Sequence, residues 1–196
     1  MSTGKRTSGN ESIELTAERL KGLAHPLRVR ILGALRTGGP ATATGLAARL
    51  GESSGSTSYH LRQLEKHGFV LEVEGSGSKR ERWWKAAQRN TRFDEAGLIK
   101  DSEAGELAAE FLRTIAAAMS ERMLKWIEAL PRMPEDFAKA GTMSDWSLRL
   151  DARQLKALKT DIEKTISGYP SFDPEEEGAP DSVLVGVQLQ LLPKIP

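Results

Sequence analysis

One stretch of this sequence decides its fold: SSGSTSYHLRQL, residues 53–64. Ser53 supplies a side chain of the kind that caps a helix. Leu61 and Leu64 lie three residues apart and can face a core, and Gly68 can end the helix. The stretch therefore predicts a helix over residues 54–67. One face of this helix is apolar, and the other offers short or planar hydrogen-bonding side chains.

Three shorter helices are predicted upstream of it. Apolar periodicity places the first two at 15–24 and 26–37. Pro26 opens the second, where the first turn of a helix tolerates a proline. A third helix is predicted at 43–50, ending at Gly51. Short helices joined by turns that contain glycine are typical of a helix-turn-helix core.

A β-hairpin is predicted directly after the fourth helix, over residues 69–86. Residues 69–74 alternate in the manner of a strand, residues 75–78 are glycine and serine, and residues 79–85 combine charge with aromatic side chains. A hairpin in this position is a wing. Residues 1–12 are polar and are expected to form a disordered arm.

The second half of the chain has a different pattern. Residues 103–130 predict a long amphipathic helix whose apolar stripe exceeds what a small core can cover. We expect this stripe to pair with a second subunit, although packing on the chain's own C-terminal segment is the alternative. Beyond it, strands are predicted at 145–150 and 183–191, with a helix starting after Asp151. The stripe residues are Leu107, Phe111, Leu112, Ile115, Met119, Met123, Trp126 and Ile127.

The net charge of +1 conceals an asymmetry between the two halves of the chain. Residues 1–92 carry 16 Lys and Arg against 8 Asp and Glu, whereas residues 93–196 carry 12 against 19. A basic half joined to an acidic half indicates one part that meets a polyanion. The polar face of the fourth helix and the wing have the side chains to bind DNA, the former at base edges and the latter at the backbone or minor groove. These residues are Ser54, Ser56, Thr57, Ser58, Tyr59, His60, Arg62 and Gln63 on the helix, and Lys79, Arg80 and Arg82 on the wing.

Three ordered segments together resemble the ArsR-type winged-helix repressors: LAHPLRVRIL at 23–32, residues 53–64, and GFV at 68–70. Trp83 and Trp84 are similar to the adjacent aromatic residues that usually end this family's hairpin. The resemblance covers residues 13–90 and implies a DNA-binding repressor with DNA contacts at Ser54, Ser56, Ser58 and Tyr59. His60 matches a histidine of the family for which a structural and a base-reading role both stay open.

The sequence departs from the metal-sensing members of that family. Those members use cysteine pairs or Asp/His sets, but this chain has no cysteine, and its three histidines all precede residue 93. His60 and His67 share one helix face without a clear third ligand. We therefore expect no metal and no cofactor.

Enzymatic activity is not expected, because the chain lacks a phosphate-binding loop, a G-x-S-x-G elbow and an H-E-x-x-H motif. Two alternatives to DNA regulation are a winged-helix protein–protein module without DNA binding and a ligand-binding C-terminal domain with an accessory winged helix. The C-terminal half is open to three roles: binding an organic small-molecule effector, binding a protein, or enlarging the dimer. Trp126, Trp146, Tyr169, Phe172 and the methionines nearby would line an effector pocket or fill a plain core.

The sequence thus predicts a mainly α-helical winged helix-turn-helix fold with a β-hairpin wing, a long dimerisation helix and a small C-terminal α+β unit. We expect a disordered arm at 1–12, a DNA-binding domain at 13–92, and a dimerisation and effector or partner domain at 93–196. The expected partners are double-stranded DNA and a second copy of the chain. No signal peptide or membrane span is visible, so we expect a cytoplasmic protein.

Overall fold

The structure is a computed structural model, and it describes residues 12–73, 81–93, 95–100 and 104–194. The chain divides into two compact units, Met1–Ser120 and Glu121–Pro196. The functional boundary expected after residue 92 stays a prediction. Within the described ranges, no helix combines the length and the apolar character needed to cross a lipid bilayer.

Four short helices build the N-terminal unit: α1 (Ala17–Leu23), α2 (Pro26–Gly38), α3 (Ala43–Leu50) and α4 (Ser54–Lys66). Each lies where periodicity predicts it, to within two residues at either end. Side-chain acceptors cap all four, because the first amides of a helix have no partner within it. The caps are Thr16, the His25 ring, Thr42 and Ser53.

The predicted hairpin is present, and it belongs to a small antiparallel sheet. Strands β2 (Ala41–Thr42), β3 (Val70–Val73) and β4 (Trp83–Ala86) pair in the order β2-β4-β3. The turn expected at 75–78 lies outside the described residues. A second pair, β1 (Ser12–Glu14) with β5 (Asn90–Arg92), is parallel. Neither β2 nor this parallel pair was predicted, because runs of two or three residues are too short to show an alternating pattern.

A single apolar core holds the four helices and the sheet together. Trp84 of β4 contributes to it from the sheet. Two further helices follow, α5 (Glu95–Lys100) and the long α6 (Gly105–Ala129), and Phe111 of α6 is buried in the same core. Its fully buried members are Leu20, Ile31, Leu35, Leu46, Leu61, Leu64, Phe69 and Val70.

The C-terminal unit contains the end of α6, a 3₁₀ turn at Leu130–Arg132, α7 (Glu135–Ala140) and α8 (Ala152–Ser167). The helix predicted after Asp151 is confirmed and has a complete capping box. Asp151 accepts a hydrogen bond from the Gln154 amide at 2.7 Å, and the Gln154 side chain accepts one from the Asp151 amide at 2.9 Å.

The two strands predicted in this unit are wrong. Residues 145–150 and 183–191 have no regular secondary structure, so the unit contains helices but no sheet among its described residues. Alternating apolar residues indicate a chain that can be half-buried, but a strand also needs a neighbour for its backbone hydrogen bonds. The alternation thus predicts an apolar face but supplies no pairing partner.

Candidate nucleic-acid interface

Helix α4 divides the predicted DNA-binding residues into an outward and an inward set. The inward side carries Leu61 and Leu64, both fully buried. The outward side carries Tyr59, which is 56% exposed, and Arg62, which is exposed and makes no ion pair among the described residues. Ser54 is exposed as well, whereas Ser56, Ser58 and Gln63 are half-buried. A polar ridge on one side of a short helix is the geometry that reads base edges in a major groove.

Thr57 is fully buried, although it was predicted to contact DNA. Its hydroxyl donates to the Ser53 carbonyl oxygen at 2.9 Å, and the Ser53 hydroxyl oxygen accepts from the Ser56 amide at 3.1 Å. Both hydrogen bonds stabilise the first turn of α4. Thr57 therefore shapes the start of the helix and has no surface for a base.

His60 is also buried, with 8% of its surface exposed. Its ring lies 4.3 Å, centroid to centroid, from the ring of His25, and the two planes are inclined by 37°. His25 in turn caps α2, since its Nδ1 accepts from the Leu27 amide at 3.1 Å. His60 thus joins the start of α2 to α4, which favours the structural role over the base-reading one.

The wing follows α4 through Gly68, whose φ of 77° lies in the left-handed region that suits glycine. Trp84 is buried in the core and anchors the hairpin. Arg82 is exposed and lies 3.6 Å from the Glu72 carboxylate on the facing strand. Lys79 and Arg80, the other predicted wing contacts, lie outside the described residues.

Comparison with known proteins identifies this part of the chain. Residues 23–73, which run from the end of α1 to the end of β3, match the family described as a helix-turn-helix domain. They form the helix-turn-helix domain of this chain. With the β3–β4 wing, this part of the chain has the fold of a winged helix-turn-helix.

Several solved structures are similar to parts of the chain. Reduced HlyU from Vibrio cholerae is 20% identical, with a TM-score of 0.31 over 48% of this chain and 81% of that one. An ArsR family transcriptional regulator is 22% identical, with a TM-score of 0.30 over 58% of this chain and 96% of that one. A transcriptional regulator homologue from Pyrococcus horikoshii is 22% identical, with a TM-score of 0.29 over 53% and 96%. No curated protein matches the chain significantly.

Two arginines that were not predicted as site residues stabilise the helix-turn-helix domain. Arg30 lies 3.0 Å from the Glu52 carboxylate and donates to the Leu50 carbonyl at 2.7 Å, so it closes the turn between α3 and α4.

Burial lowers the pKa of Arg36 to about 10. The Arg36 guanidinium donates to the Gln88 carbonyl at 3.0 Å and to the Thr91 hydroxyl at 2.9 Å. Only tertiary contacts reveal these roles, because the partners lie 20 to 55 residues away.

Arg28 lies beside the exposed ridge of α4, within electrostatic reach of Tyr59. Its Nε is buried without a hydrogen-bond partner among the described residues, and burial lowers its pKa. A cation next to the recognition helix adds to the positive potential that a phosphate backbone would meet.

The apolar stripe of α6 has two parts. Phe111 is buried, and Leu107 and Ile115 pack against the same core as the helix-turn-helix domain. Further along, Met123 and Ile127 are 39% and 41% exposed. The first part is therefore occupied within the chain, and the second part is available to a partner. Leu112, Met119 and Trp126 are half-buried, and the dimerisation assignment of all eight residues stays a prediction.

Of the residues proposed to line an effector pocket, Met133 lies in a groove, whereas the two most exposed aromatic ones do not. Trp146 and Tyr169 are 75% and 72% exposed. A shallow groove of about 560 Å³ lies elsewhere in the C-terminal unit, and its apolar wall includes Met133, Phe137 and Leu184. The part of the chain that the structure describes contains no cluster of three or more metal-ligating side chains.

Acidification is expected to destabilise the helix-turn-helix domain in the pH window that opens at about pH 6.5 and extends downward. Burial, together with the charges of His25 and Arg28, lowers the pKa of His60 from its ordinary value of 6.5. Burial, with Lys66 and Arg28, lowers the pKa of His67 in the same way. The unfolded chain therefore takes up protons first as the pH falls, and stability that is complete above 6.5 is lost below it.

Urea unfolding midpoints measured across this pH window test that expectation. His60→Gln should lower the midpoint at every pH but flatten its dependence on pH. A slope equal to that of the wild type in the His60→Gln variant would contradict a role for His60 protonation.

Proposed function

We propose that this chain is a sequence-specific transcriptional repressor that acts as a homodimer on a pseudo-palindromic operator. The observation that carries the proposal is the split of α4 into a buried apolar side and an exposed side that presents Ser54, Tyr59 and Arg62. Arginine donates two hydrogen bonds to a guanine edge, and serine or tyrosine hydroxyls can bond to either a base or a phosphate.

Two further features support DNA as the partner. The basic residues of the N-terminal half outnumber its acidic residues two to one, which favours a polyanion over a protein surface. The wing presents Arg82 at the exposed edge of the hairpin, where it can reach the backbone beside the groove that α4 enters. A module that bound only proteins would not need this charge.

A two-fold dimer explains how a short helix can select a site. One α4 contacts about four base pairs, too few to be specific in a genome, and a second copy one helical turn away (about 34 Å) doubles that number. Binding over a promoter would then block transcription by occupancy, which is the mode that the ArsR resemblance implies.

The first test is the selection of bound fragments from genomic DNA by the purified chain, followed by sequencing. We expect enrichment of a short inverted repeat upstream of a few genes. Recovery of fragments with no shared sequence would contradict sequence-specific binding, and a single half-site without symmetry would contradict the two-fold dimer.

Arg62→Ala is expected to weaken binding to the selected site by about 10- to 100-fold, which corresponds to the loss of one base contact. Tyr59→Ala should act in the same direction. Binding to random DNA should change much less, since base contacts contribute little there. Fluorescence anisotropy at one salt concentration measures the affinity of each variant for the selected site and for random DNA, and the ratio of these two affinities is compared with that of the wild type.

Glu65→Ala is the matched control, because Glu65 is exposed on the same helix but lies one turn closer to its C-terminal end. Its affinity for the selected site should stay within about two-fold of the wild type. If Arg62→Ala weakened both DNA sequences equally, Arg62 would be a phosphate contact and the base-reading assignment would fail.

A further inference from the structure

The C-terminal unit lacks a core of its own. Of the described residues from Glu121 to Lys194, none is buried, although the unit includes the 16-residue amphipathic helix α8. Leu155, Leu158 and Ile162 of α8 are only half-buried, and Ile166 is 40% exposed. Helices in water are stabilised mainly by burying an apolar face, and this unit buries none completely. Within the unit, the described residues therefore leave this apolar surface uncovered.

The surface to be covered consists mainly of two segments, residues 143–150 and 183–192, which we call the C-terminal apolar face. Lys194, two residues beyond the second segment, donates to the hydroxyl of Ser147 in the middle of the first segment at 3.2 Å. Leu148 is 64% exposed, and the consecutive residues Val183, Leu184 and Val185 are all more than half exposed. Val183 and Leu184 keep this exposure although they also line the groove with Met133 and Phe137.

The exposed area is the size of a dimer interface. Ten large apolar residues of this face are between 37% and 77% exposed, which leaves on the order of 1,000 Å² of residue surface, whereas the largest apolar patch of an ordinary monomer is about 300–600 Å². A standard protein interface buries about 800 Å² on each partner. An organic effector would cover only a fraction of this face, so its natural partner is a macromolecule.

Charge identifies the kind of macromolecule. Residues 182–193 contain no charged side chain, and the unit as a whole carries ten Lys and Arg against thirteen Asp and Glu. A polyanion or an anionic membrane would select a basic surface, which this one is not. Asp145 and Arg149 are the charged side chains of the face, and their charges cancel. A face without net charge can meet an identical copy of itself without net repulsion, as a two-fold interface requires.

We infer that the C-terminal apolar face is covered by the same face of a second copy of this chain. The inference rests on the homodimer of the proposed function and locates its interface in residues 143–150 and 183–192, beyond the stripe of α6. Each C-terminal unit is then completed by its partner, so dimerisation and the folding of this unit are one event. The DNA-binding helices are joined in pairs as a consequence.

Sedimentation equilibrium of the full chain tests the location of the interface. We expect the wild type to have the mass of two chains. Leu148→Glu and Val187→Glu should each shift it to one chain, because each would bury a charge at the seam. Thr160→Glu, at an exposed site on α8, is the matched control and should stay dimeric. If Met123→Glu gave monomers while Val187→Glu stayed dimeric, the interface would be the α6 stripe and the inference would be wrong.

A second measurement does not depend on variants that might unfold. The chain has no cysteine, so Val187→Cys introduces a single thiol in place of a side chain of similar size. Its alkylation by a water-soluble maleimide should slow at least ten-fold as the protein concentration rises through the dimerisation range. Thr160→Cys should react at one rate throughout. Equal rates for the two thiols in a sample of dimers would overturn the inference.

The outcome is separable from the proposed function. Selection of a DNA sequence by a chain that remains a monomer at all concentrations would preserve DNA binding and overturn the shared face. A dimer closed through the face that selects no DNA sequence would do the reverse.

Discussion

Phe111→Ala is expected to lower the free energy of unfolding by about 3–5 kcal/mol. Phe111 is 6% exposed, and its ring meets the edge of Phe93 with the centroids 5.5 Å apart and the planes at 68°. Removing it leaves a cavity where α6 packs on the core, and it ends an aromatic contact of favourable geometry. Urea denaturation at a fixed protein concentration measures the loss.

Arg113→Ala on the same helix is the control. Arg113 is exposed, and among the described residues it pairs only with Glu110, at 3.3 Å. Such surface pairs contribute about 0–1 kcal/mol. A Phe111→Ala variant as stable as Arg113→Ala would show that α6 does not pack on the helix-turn-helix core. If Phe111 served only a dimer seam, its replacement would shift the mass of the particle and leave the stability of the monomer unchanged.

Gly22→Ala is expected to destabilise the fold by about 1–3 kcal/mol, even though alanine favours helices over glycine. A Cβ on Gly22 would lie 2.6 Å from the Cβ of His67 and 2.9 Å from a ring carbon of Phe69. The Cβ of His67 is fixed to the backbone, so α1 would have to move away from the end of α4. The decrease in the midpoint of thermal unfolding relative to the wild type measures this loss of stability.

Gly33→Ala provides the opposite result at a matched site. Gly33 lies inside α2, and a Cβ there would meet nothing within 4 Å. Its replacement should stabilise the protein by about 0.4–1 kcal/mol, because alanine has less backbone freedom to lose. If both variants were stabilising, the close approach of α1 to His67 and Phe69 would be contradicted.

The N-terminal half could be predicted from sequence almost completely. Caps, glycines and apolar spacing act over three or four residues, so they place α1 to α4 and the hairpin without knowledge of the rest of the fold. The parallel pair β1–β5 joins residues 12–14 to residues 90–92, and no local pattern signals it. Pairing over such distances is decided by which edges the packed helices leave open.

For the candidate site, the sequence predicted which residues have the chemistry to contact DNA, but it predicted only in part which of them lie on the exposed side of α4. Thr57 and His60 have the chemistry of DNA contacts, yet they lie on the inner side of α4 with Leu61 and Leu64. Helical periodicity places them there once the inner face is known. The structural roles of Arg30 and Arg36 could not be predicted from sequence, because their hydrogen-bond partners are distant in the chain.

The sequence alone determined that this chain carries a winged helix-turn-helix, because local capping and periodicity specify short helices and their exposed polar sides. Only the tertiary structure decided which polar residues of α4 face solvent, that Phe111 belongs to the core, and that residues 145–150 and 183–191 form no strands. The reason is that burial and strand pairing depend on neighbours remote in sequence. A repeating apolar pattern predicts that one face will be buried, but it does not identify the neighbour that buries it.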